Sequence, residues 1–199
     1  MRRSAAPVVA GLVGLFALLG LLGPQAVQGE TSCGGVQLAD KLEAFGVPLR
    51  LSGSGIRRAT VLNVHVYVAG LYLGEPSHDL REILKPSQTK ALVLHFVRNV
   101  SRSEMLDAIH TGIEDNAGAS LAAAKQHMKS FERYLPDLRK GTLLSLAYQP
   151  KNGLEVRKNG KLIGVEKDDA FGNLLFRVWL GPKPPDSDLK ASLLSGKCQ

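Results

Sequence analysis

The stretch Val61–Leu73 constrains the fold of this chain more than any other part of it. Its sequence, VLNVHVYVAGLYL, has a high content of β-branched and aromatic residues, and its side chains alternate with a period of two. Both properties are typical of a β-strand. The stretch is therefore predicted to form the central strand of a sheet.

The two faces of this predicted strand differ in polarity, because neighbouring side chains of a strand point to opposite faces. One face is uniformly apolar and consists of Leu62, Val64, Val66 and Val68. The other face carries three polar side chains, Asn63, His65 and Tyr67. We expect the apolar face to pack on a core and the mixed face to be able to line a pocket.

Two glycines, Gly53 and Gly55, lie shortly before this strand. They free the backbone for positive φ angles or for close packing, so Arg57 is expected to emerge from a tight lead-in segment rather than from the middle of a strand. A guanidinium in that position can anchor an anion. The alternative is that Arg57 and Arg58 are ordinary solvated charges beside a sheet edge.

Residues 1–29 have the pattern of a secretory signal peptide. Two arginines near the start precede an uncharged run, Val8–Leu22, and compact residues stand three positions and one position before a cut ahead of Glu30. The alternative, an uncleaved membrane anchor, is disfavoured because the run has 15 residues, fewer than the roughly 20 that span a bilayer. The protein is expected to be exported, periplasmic or secreted, and to contact a membrane only through this segment.

The composition of the remaining chain fits one exported domain. Removal of the leader takes away two arginines and no acid, which leaves 23 basic and 18 acidic residues, a net charge of +5 over 170 residues. This length suits one domain with a core, here residues 30–182, followed by a tail of residues 183–199. The basic residues are scattered, so nucleic acid is not an expected partner. The histidines and cysteines lack metal-ligand spacing, so neither a metal nor a cofactor is expected.

Only two cysteines occur, Cys33 and Cys198, one near each end of the mature chain. In an exported protein such a pair predicts a disulfide, which would join the tail to the first strand. The alternative is a pair of free thiols.

The order of the predicted elements indicates an α+β fold, because strands come first, helices follow and a meander of strands comes next. Further strands are predicted at Val36–Leu38, Pro48–Ser52, Thr89–Val97, Leu143–Tyr148, Leu154–Lys158 and Lys161–Val165. Helices are predicted from the capping box at Ser101, over Ser120–Leu135, and from Asp168 to the residue before Gly181. Short helical segments are predicted at Asp79–Leu84 and Ser187–Leu194.

Two sequence motifs resemble the signature of chalcone isomerase-like proteins. Gly53-Ser54-Gly55-Ile56-Arg57 is similar to G-x-G-x-R, and residues 66–73, VYVAGLYL, are similar to V-Y-x-x-G-L-Y-L. Residues 172–175 and 179–181 resemble the closing helix of that family. The likeness spans about residues 36–181 and implies an open-faced β-sandwich, in which helices pack on one face of a large antiparallel sheet.

The resemblance also bears on activity. The plant isomerases use an arginine, two threonine-type hydroxyls, a tyrosine and an asparagine, and of these positions only the arginine is kept here, as Arg57. The other four positions correspond to Tyr67, Arg102, Ile109 and Phe176. Without those hydroxyl and amide groups, the rate acceleration that preorganised donors provide is not expected. No residue is therefore assigned a catalytic role.

The fatty-acid-binding branch of the family is a better match, because it is understood to bind a carboxylate with this arginine and the tyrosine of the V-Y motif. The candidate ligand-binding residues are Arg57, Tyr67, Asn63, His65 and Arg102. Ten residues of unbroken strand would separate Arg57 from Tyr67 by about 33 Å. The chain is therefore expected to turn between them, near residues 58–61.

Three functions remain open. The first is an exported, non-catalytic binder of a fatty acid or similar apolar carboxylate. The second is an isomerase, an intramolecular lyase acting on a chalcone-like substrate. The third is a structural or partner-binding envelope protein whose cleft is filled by its own side chains.

Overall fold

The computed structural model describes residues 29–59 and 62–198. Within these residues the strands are β1 (Glu30–Cys33), β2 (Val36–Ala39), β3 (Lys41–Ala44), β4 (Val47–Ala59), β5 (Val64–Leu73), β6 (Lys90–Phe96), β7 (Leu143–Gln149), β8 (Gly153–Lys158) and β9 (Lys161–Glu166). The α-helices are α1 (Leu80–Ile83), α2 (Arg102–Asn116), α3 (Leu121–Glu132), α4 (Asp169–Leu175), α5 (Arg177–Leu180) and α6 (Ser187–Ser195). The expected signal peptide, except for Gly29, lies outside the described residues. In the described ranges, no helix combines the length and the apolar character needed to cross a bilayer.

Seven of these strands form one antiparallel sheet in the order β3-β4-β5-β6-β7-β8-β9. The helices cover one face of this sheet and bury the main core, to which β5 contributes Tyr67, Ala69, Leu71 and Leu73. On the opposite face, the separate β1–β2 hairpin covers Ile56 and Val68. The predicted α+β class and the open-faced β-sandwich, with helices packed on one face of a large antiparallel sheet, are confirmed.

The predicted apolar face of Leu62, Val64, Val66 and Val68 does not pack on a single core, since Val66 packs against the main core while Leu62 and Val64 are exposed. The helices cover the Tyr67 face instead, while Val68 packs in the smaller cluster beneath the β1–β2 hairpin. Leu62 is 80 % exposed and Val64 is 37 % exposed, because both lie where β4 turns into β5. Strand periodicity predicted two faces, but it could not tell which face the helices would cover or that the alternation would break at Val66.

The glycine pair lies inside a strand, which corrects the expected lead-in segment. Strand β4 runs without interruption from Val47 to Ala59, so Gly53, Gly55 and Arg57 share one face of the sheet. A Cβ on Gly53 would lie 2.0 Å from the carbonyl oxygen of Leu193, and one on Gly55 would lie 2.7 Å from Cβ of Ser192. The glycines are thus required for the close packing of α6 on β4, not for a turn.

The turn required between Arg57 and Tyr67 is present. Strand β4 ends at Ala59, Asn63 has a left-handed φ of 53°, and β5 begins at Val64. Strand β5 therefore starts three residues later than predicted, and Arg57 lies directly opposite Tyr67 in the antiparallel pair. The next pair is Arg58 with His65, so Val66 is an extra residue in β5, which is a β-bulge.

The tail packs against the rest of the fold. Helix α6 lies on β4 and buries Leu189 and Leu193 in the main core, so residues 187–195 share a core with the expected domain of residues 30–182. A disulfide joins Cys33 to Cys198, as the cysteine count predicted. The tail is therefore held on the sheet by packing at α6 and by a covalent bond near its end.

Two local features differ from the sequence-based expectations, and a third agrees with them. Strands β1 and β3 were not predicted, because each has only four residues: β1 (ETSC) has no apolar alternation, and the alternation in β3 (KLEA) is too short to indicate a strand. The third long helix is divided at Phe176 into α4 and α5. The capping box at Ser101 is confirmed, since the Ser101 side chain accepts from the Glu104 amide and Glu104 accepts from the Ser101 amide.

Candidate functional site

A cavity of about 170 Å³ opens where the ends of β4 and β5 meet helices α2 and α5. Most of its lining is apolar and comes from β5, β6, α2 and α5. These side chains include Val66, Phe96, Met105, Ile109, Val178 and Trp179. Charged groups are contributed by Arg57 and by the exposed side chains of Arg98 and Glu104. The cavity thus combines an apolar interior with a charged edge.

Close packing of two helices fixes the wall of the cavity opposite the sheet. A Cβ on Gly112 of α2 would lie 2.5 Å from Cγ1 of Val178 on α5. The absence of a side chain at Gly112 therefore lets α5 approach α2 closely. This approach fixes the position of Trp179, which is buried and lines the cavity.

Tyr67 supplies a hydrogen-bond donor to the cavity. Its phenol oxygen accepts a hydrogen bond of 2.9 Å from Nε1–H of Trp179, and its ring packs edge-on against Phe96. Burial raises the pKa of Tyr67 to about 12, so the phenol keeps its proton at neutral pH. That proton has no acceptor among the residues that the structure describes. It is available to a ligand in the cavity.

Arg57 supplies a positive charge beside the same cavity. Its side chain is 21 % exposed, and its Nη1 lies 3.6 Å from Oδ2 of Asp186. A guanidinium has five N–H donors, yet the Arg57 side chain makes no hydrogen bond within residues 29–59 and 62–198. Because Arg57 and Tyr67 are directly opposed on neighbouring strands, one head group can contact both.

The comparisons with known proteins agree with this architecture. The profile of the chalcone isomerase-like family matches residues 30–195. The chain belongs to the chalcone isomerase-like family. Among solved structures, it is similar to a fatty-acid binding protein of Arabidopsis thaliana, with a TM-score of 0.65 and 14 % sequence identity over 80 % of this chain and 92 % of that chain. At this identity the likeness shows the fold alone. No curated protein sequence matches the chain.

Three of the five predicted site residues of this chalcone isomerase-like chain do not line the cavity. Asn63 and His65 are exposed near the β4–β5 turn. The bulge at Val66 breaks the alternation that would have placed His65 on the same face as Tyr67. Arg102 donates instead to the carbonyl oxygens of Leu135 and Glu132, at 2.9 and 2.7 Å, and so holds the start of α2 against the end of α3.

The positions that correspond to the isomerase residues are also spread apart in this family member. Ile109 is the only one of Arg102, Ile109 and Phe176 that lines the described cavity. Phe176 is buried elsewhere, with its ring centroid 5.5 Å from Nζ of Lys90. The described lining of the cavity contains no Ser, Thr, Asn or Gln side chain. The described residues also contain no group of three or more His, Cys, Asp or Glu side chains that could hold a metal ion.

Sequence reasoning missed the contacts of Trp179 and Asp186. Trp179 stood in a stretch that resembles the family's closing helix, but nothing in that stretch indicates a hydrogen bond to a residue 112 positions away. The sequence Asp186-Ser187-Asp188 signals a helix start, and Asp186 does cap α6. No sequence signal links Asp186 to Arg57.

Proposed function

We propose that this protein binds a fatty acid or a similar apolar carboxylate in the cavity beside Arg57 and Tyr67, without performing chemistry on it. One observation carries the proposal. The half-buried guanidinium of Arg57 and the buried phenol of Tyr67 line the same apolar cavity. Each has hydrogen-bond donors that no described residue accepts.

The two donors suit a carboxylate. A guanidinium binds a carboxylate through charge-assisted and often bidentate hydrogen bonds. The neutral phenol of Tyr67 adds one further donor, since burial keeps its pKa high. Similarity in fold to a fatty-acid binding protein supports a ligand of this class.

The apolar lining suits a hydrocarbon tail. Side chains such as Met105, Ile109 and Val178 would contact it, and burial of each methylene contributes about 0.8 kcal/mol. The volume of 170 Å³ is close to that of an engineered cavity of about 150 Å³ that binds benzene. The cavity therefore has room for about six carbons of a tail.

Isomerase chemistry is not favoured by the lining. Closing a ring on an enone needs preorganised donors for the developing oxyanion. Among the described lining residues, such donors are limited to Arg57, Tyr67, Trp179 and Arg98, and the Trp179 N–H is already bonded to Tyr67. This donor set supports binding more than it supports ring closure.

The decisive test is calorimetric titration of octanoate into the mature protein and into Arg57→Ala. We expect Arg57→Ala to weaken binding about 10- to 100-fold, because charge-assisted hydrogen bonds of about 1.5–3 kcal/mol are lost. Arg50→Ala is the matched control, since Arg50 is an exposed arginine on the same strand and does not line the cavity. Equal affinity in all three proteins, no binding at all, or cyclisation of a chalcone-like substrate would contradict the proposal.

We further propose that the protein is exported after cleavage before Glu30. The leader pattern of residues 1–29 and the Cys33–Cys198 disulfide support this, because disulfides persist in oxidising compartments. The expected result is an intact mass, measured on protein from the extracytoplasmic fraction, that corresponds to residues 30–199 with two fewer hydrogens. A retained leader, or reduced cysteines, would contradict it.

A further inference from the structure

The tail already places a carboxylate at the guanidinium where a ligand would bind. Asp186 stands just before α6, and its Oδ2 lies 3.6 Å from Nη1 of Arg57. The Asp186 side chain is 10 % exposed. Arg57 therefore faces a built-in anion as well as the cavity.

Asp186 is held in place without help from Arg57. Its Oδ1 accepts hydrogen bonds from the amides of Asp188 and Leu189, both at 3.0 Å, and its Oδ2 accepts one from the amide of Arg58 at 2.9 Å. These three bonds cap α6 and join it to the end of β4. The carboxylate cannot swing away from Arg57 unless the helix loses its cap.

The segment around Asp186 is also part of the cavity edge. Pro185 lines the cavity together with Arg57 and Ala108. The same three residues line a neighbouring groove of about 390 Å³ between α2 and residues 183–185. The cavity and this groove therefore adjoin at these three residues, and Arg57 borders both.

We propose that Asp186 is a specificity-determining residue that competes with a ligand carboxylate for Arg57. This inference rests on the proposed function. A carboxylate that enters beside Arg57 meets a fixed like charge in a half-buried site, where charges interact more strongly than in water. An uncharged head group does not meet this repulsion. Asp186 thus reduces the preference of the site for anionic over uncharged head groups. Anions bind more weakly than they would to Arg57 alone.

The electrostatics of Tyr67 support the proximity of the three groups. Burial has the largest effect and raises the pKa of this phenol, the hydrogen bond from Trp179 lowers it, and of the two nearby charges Arg57 lowers it and Asp186 raises it. Both charges therefore reach the phenol that lines the cavity.

The test is Asp186→Asn, because asparagine caps a helix about as well as aspartate but carries no charge. Octanoate and 1-octanol, which share a tail and differ in charge, are titrated into wild type and variant. We expect the affinity for octanoate to rise about 5- to 100-fold, within the range typical of energetic coupling between two sites in a protein, and the affinity for 1-octanol to change less than about twofold.

The controls separate this inference from other effects. Asp168→Asn removes the charge from the N-cap of α4, a helix that does not line the cavity. This variant is expected to bind octanoate as wild type does. Asp186→Ser, which also keeps a capping oxygen, serves as a second variant if Asp186→Asn does not fold. Circular dichroism and thermal unfolding establish that each variant is folded.

The outcomes distinguish the two proposals. Suppose that Asp186→Asn binds octanoate with unchanged affinity, while Arg57→Ala binds it more weakly than wild type does. This result overturns the role of Asp186 alone. An equal rise in the affinities for octanoate and 1-octanol also overturns it. The segment before α6 would then control access to the cavity, and the charge of Asp186 would have no specific effect. No binding of octanoate to wild type or to either Asp186 variant overturns both proposals.

Discussion

At the scale of single residues, Lys90 is the most unusual group outside the cavity. Its side chain is fully buried, and its Nζ donates to the carbonyl oxygens of Ile83 and Lys85 and to Oδ1 of Asn173. The ammonium also lies 5.0 Å from the ring centroid of Tyr148. Burial lowers the pKa of Lys90 to about 7. Lys90, at the start of β6, therefore connects this strand to the end of α1 and to α4. Because its pKa is shifted by burial, the stability of the fold depends on pH.

The direction of this dependence follows from proton binding. Between about pH 7 and the ordinary lysine pKa near 10.5, the unfolded chain keeps the Lys90 proton and the folded chain loses it. Stability attributable to Lys90 should therefore rise with pH across this window. Above pH 10 the trend reverses, because burial raises the pKa of Tyr67 and of Tyr72 to about 12, so the folded state holds those protons more tightly.

We predict that Lys90→Met removes the rise between pH 7 and pH 10. The free energy of unfolding, measured by urea denaturation, should increase by about 3 kcal/mol more in wild type than in the variant over this range. Lys161→Met, at an exposed position on β9, should follow the wild-type curve. Parallel curves for wild type and Lys90→Met would show that the buried amine does not titrate in this range.

At the scale of elements, the packing of α6 on β4 determines where Asp186 lies at the candidate site. Gly53 and Gly55 let the helix lie directly on the strand, and this contact positions Asp186 at Arg57. The sequence predicted the helix, since Ser187–Leu194 is close to the observed Ser187–Ser195. It did not predict where the helix packs, because the two glycines suit a turn, a bulge or a close contact equally well.

We predict that Gly53→Ala destabilises the fold and weakens octanoate binding together. The new Cβ would lie 2.0 Å from the Leu193 carbonyl oxygen, and such overpacking costs about 1–3 kcal/mol. In Gly74→Ala the nearest atom would be 3.5 Å away, so this control should change the free energy of unfolding by less than about 0.5 kcal/mol. Equal stability of the two variants would mean that α6 does not depend on this contact.

At the scale of the whole molecule, the Cys33–Cys198 disulfide closes a loop with a sequence separation of 165 residues. It joins the β1–β2 hairpin on one face of the sheet to the end of α6, whose side chains reach the main core on the other. The crosslink therefore ties together the two layers on either side of the sheet.

We predict that the double variant Cys33→Ser, Cys198→Ser unfolds with a free energy about 2–5 kcal/mol lower than that of wild type. The physical reason is that the crosslink restricts the unfolded chain, most strongly for long loops. Denaturation of wild type in the presence of a reducing agent should give the same value as denaturation of the double variant. A difference between these two measurements would indicate a local effect of the serines rather than loss of the crosslink.

Local patterns in the sequence determined most of the elements. The period-two stretch predicted β5, and the capping box predicted the start of α2. The motifs around Arg57 and Tyr67 also identified the family. These features depend on residues within a few positions of each other, so the sequence records them directly.

Only the tertiary structure decided which groups meet at the cavity. The Trp179 hydrogen bond joins residues 112 positions apart, and the hydrogen bond from Arg58 to Asp186 joins residues 128 positions apart. The bulge at Val66 moved His65 off the face that alternation predicted. Such contacts depend on how helices settle on a twisted sheet, and this depends on packing over the whole core rather than on any local pattern.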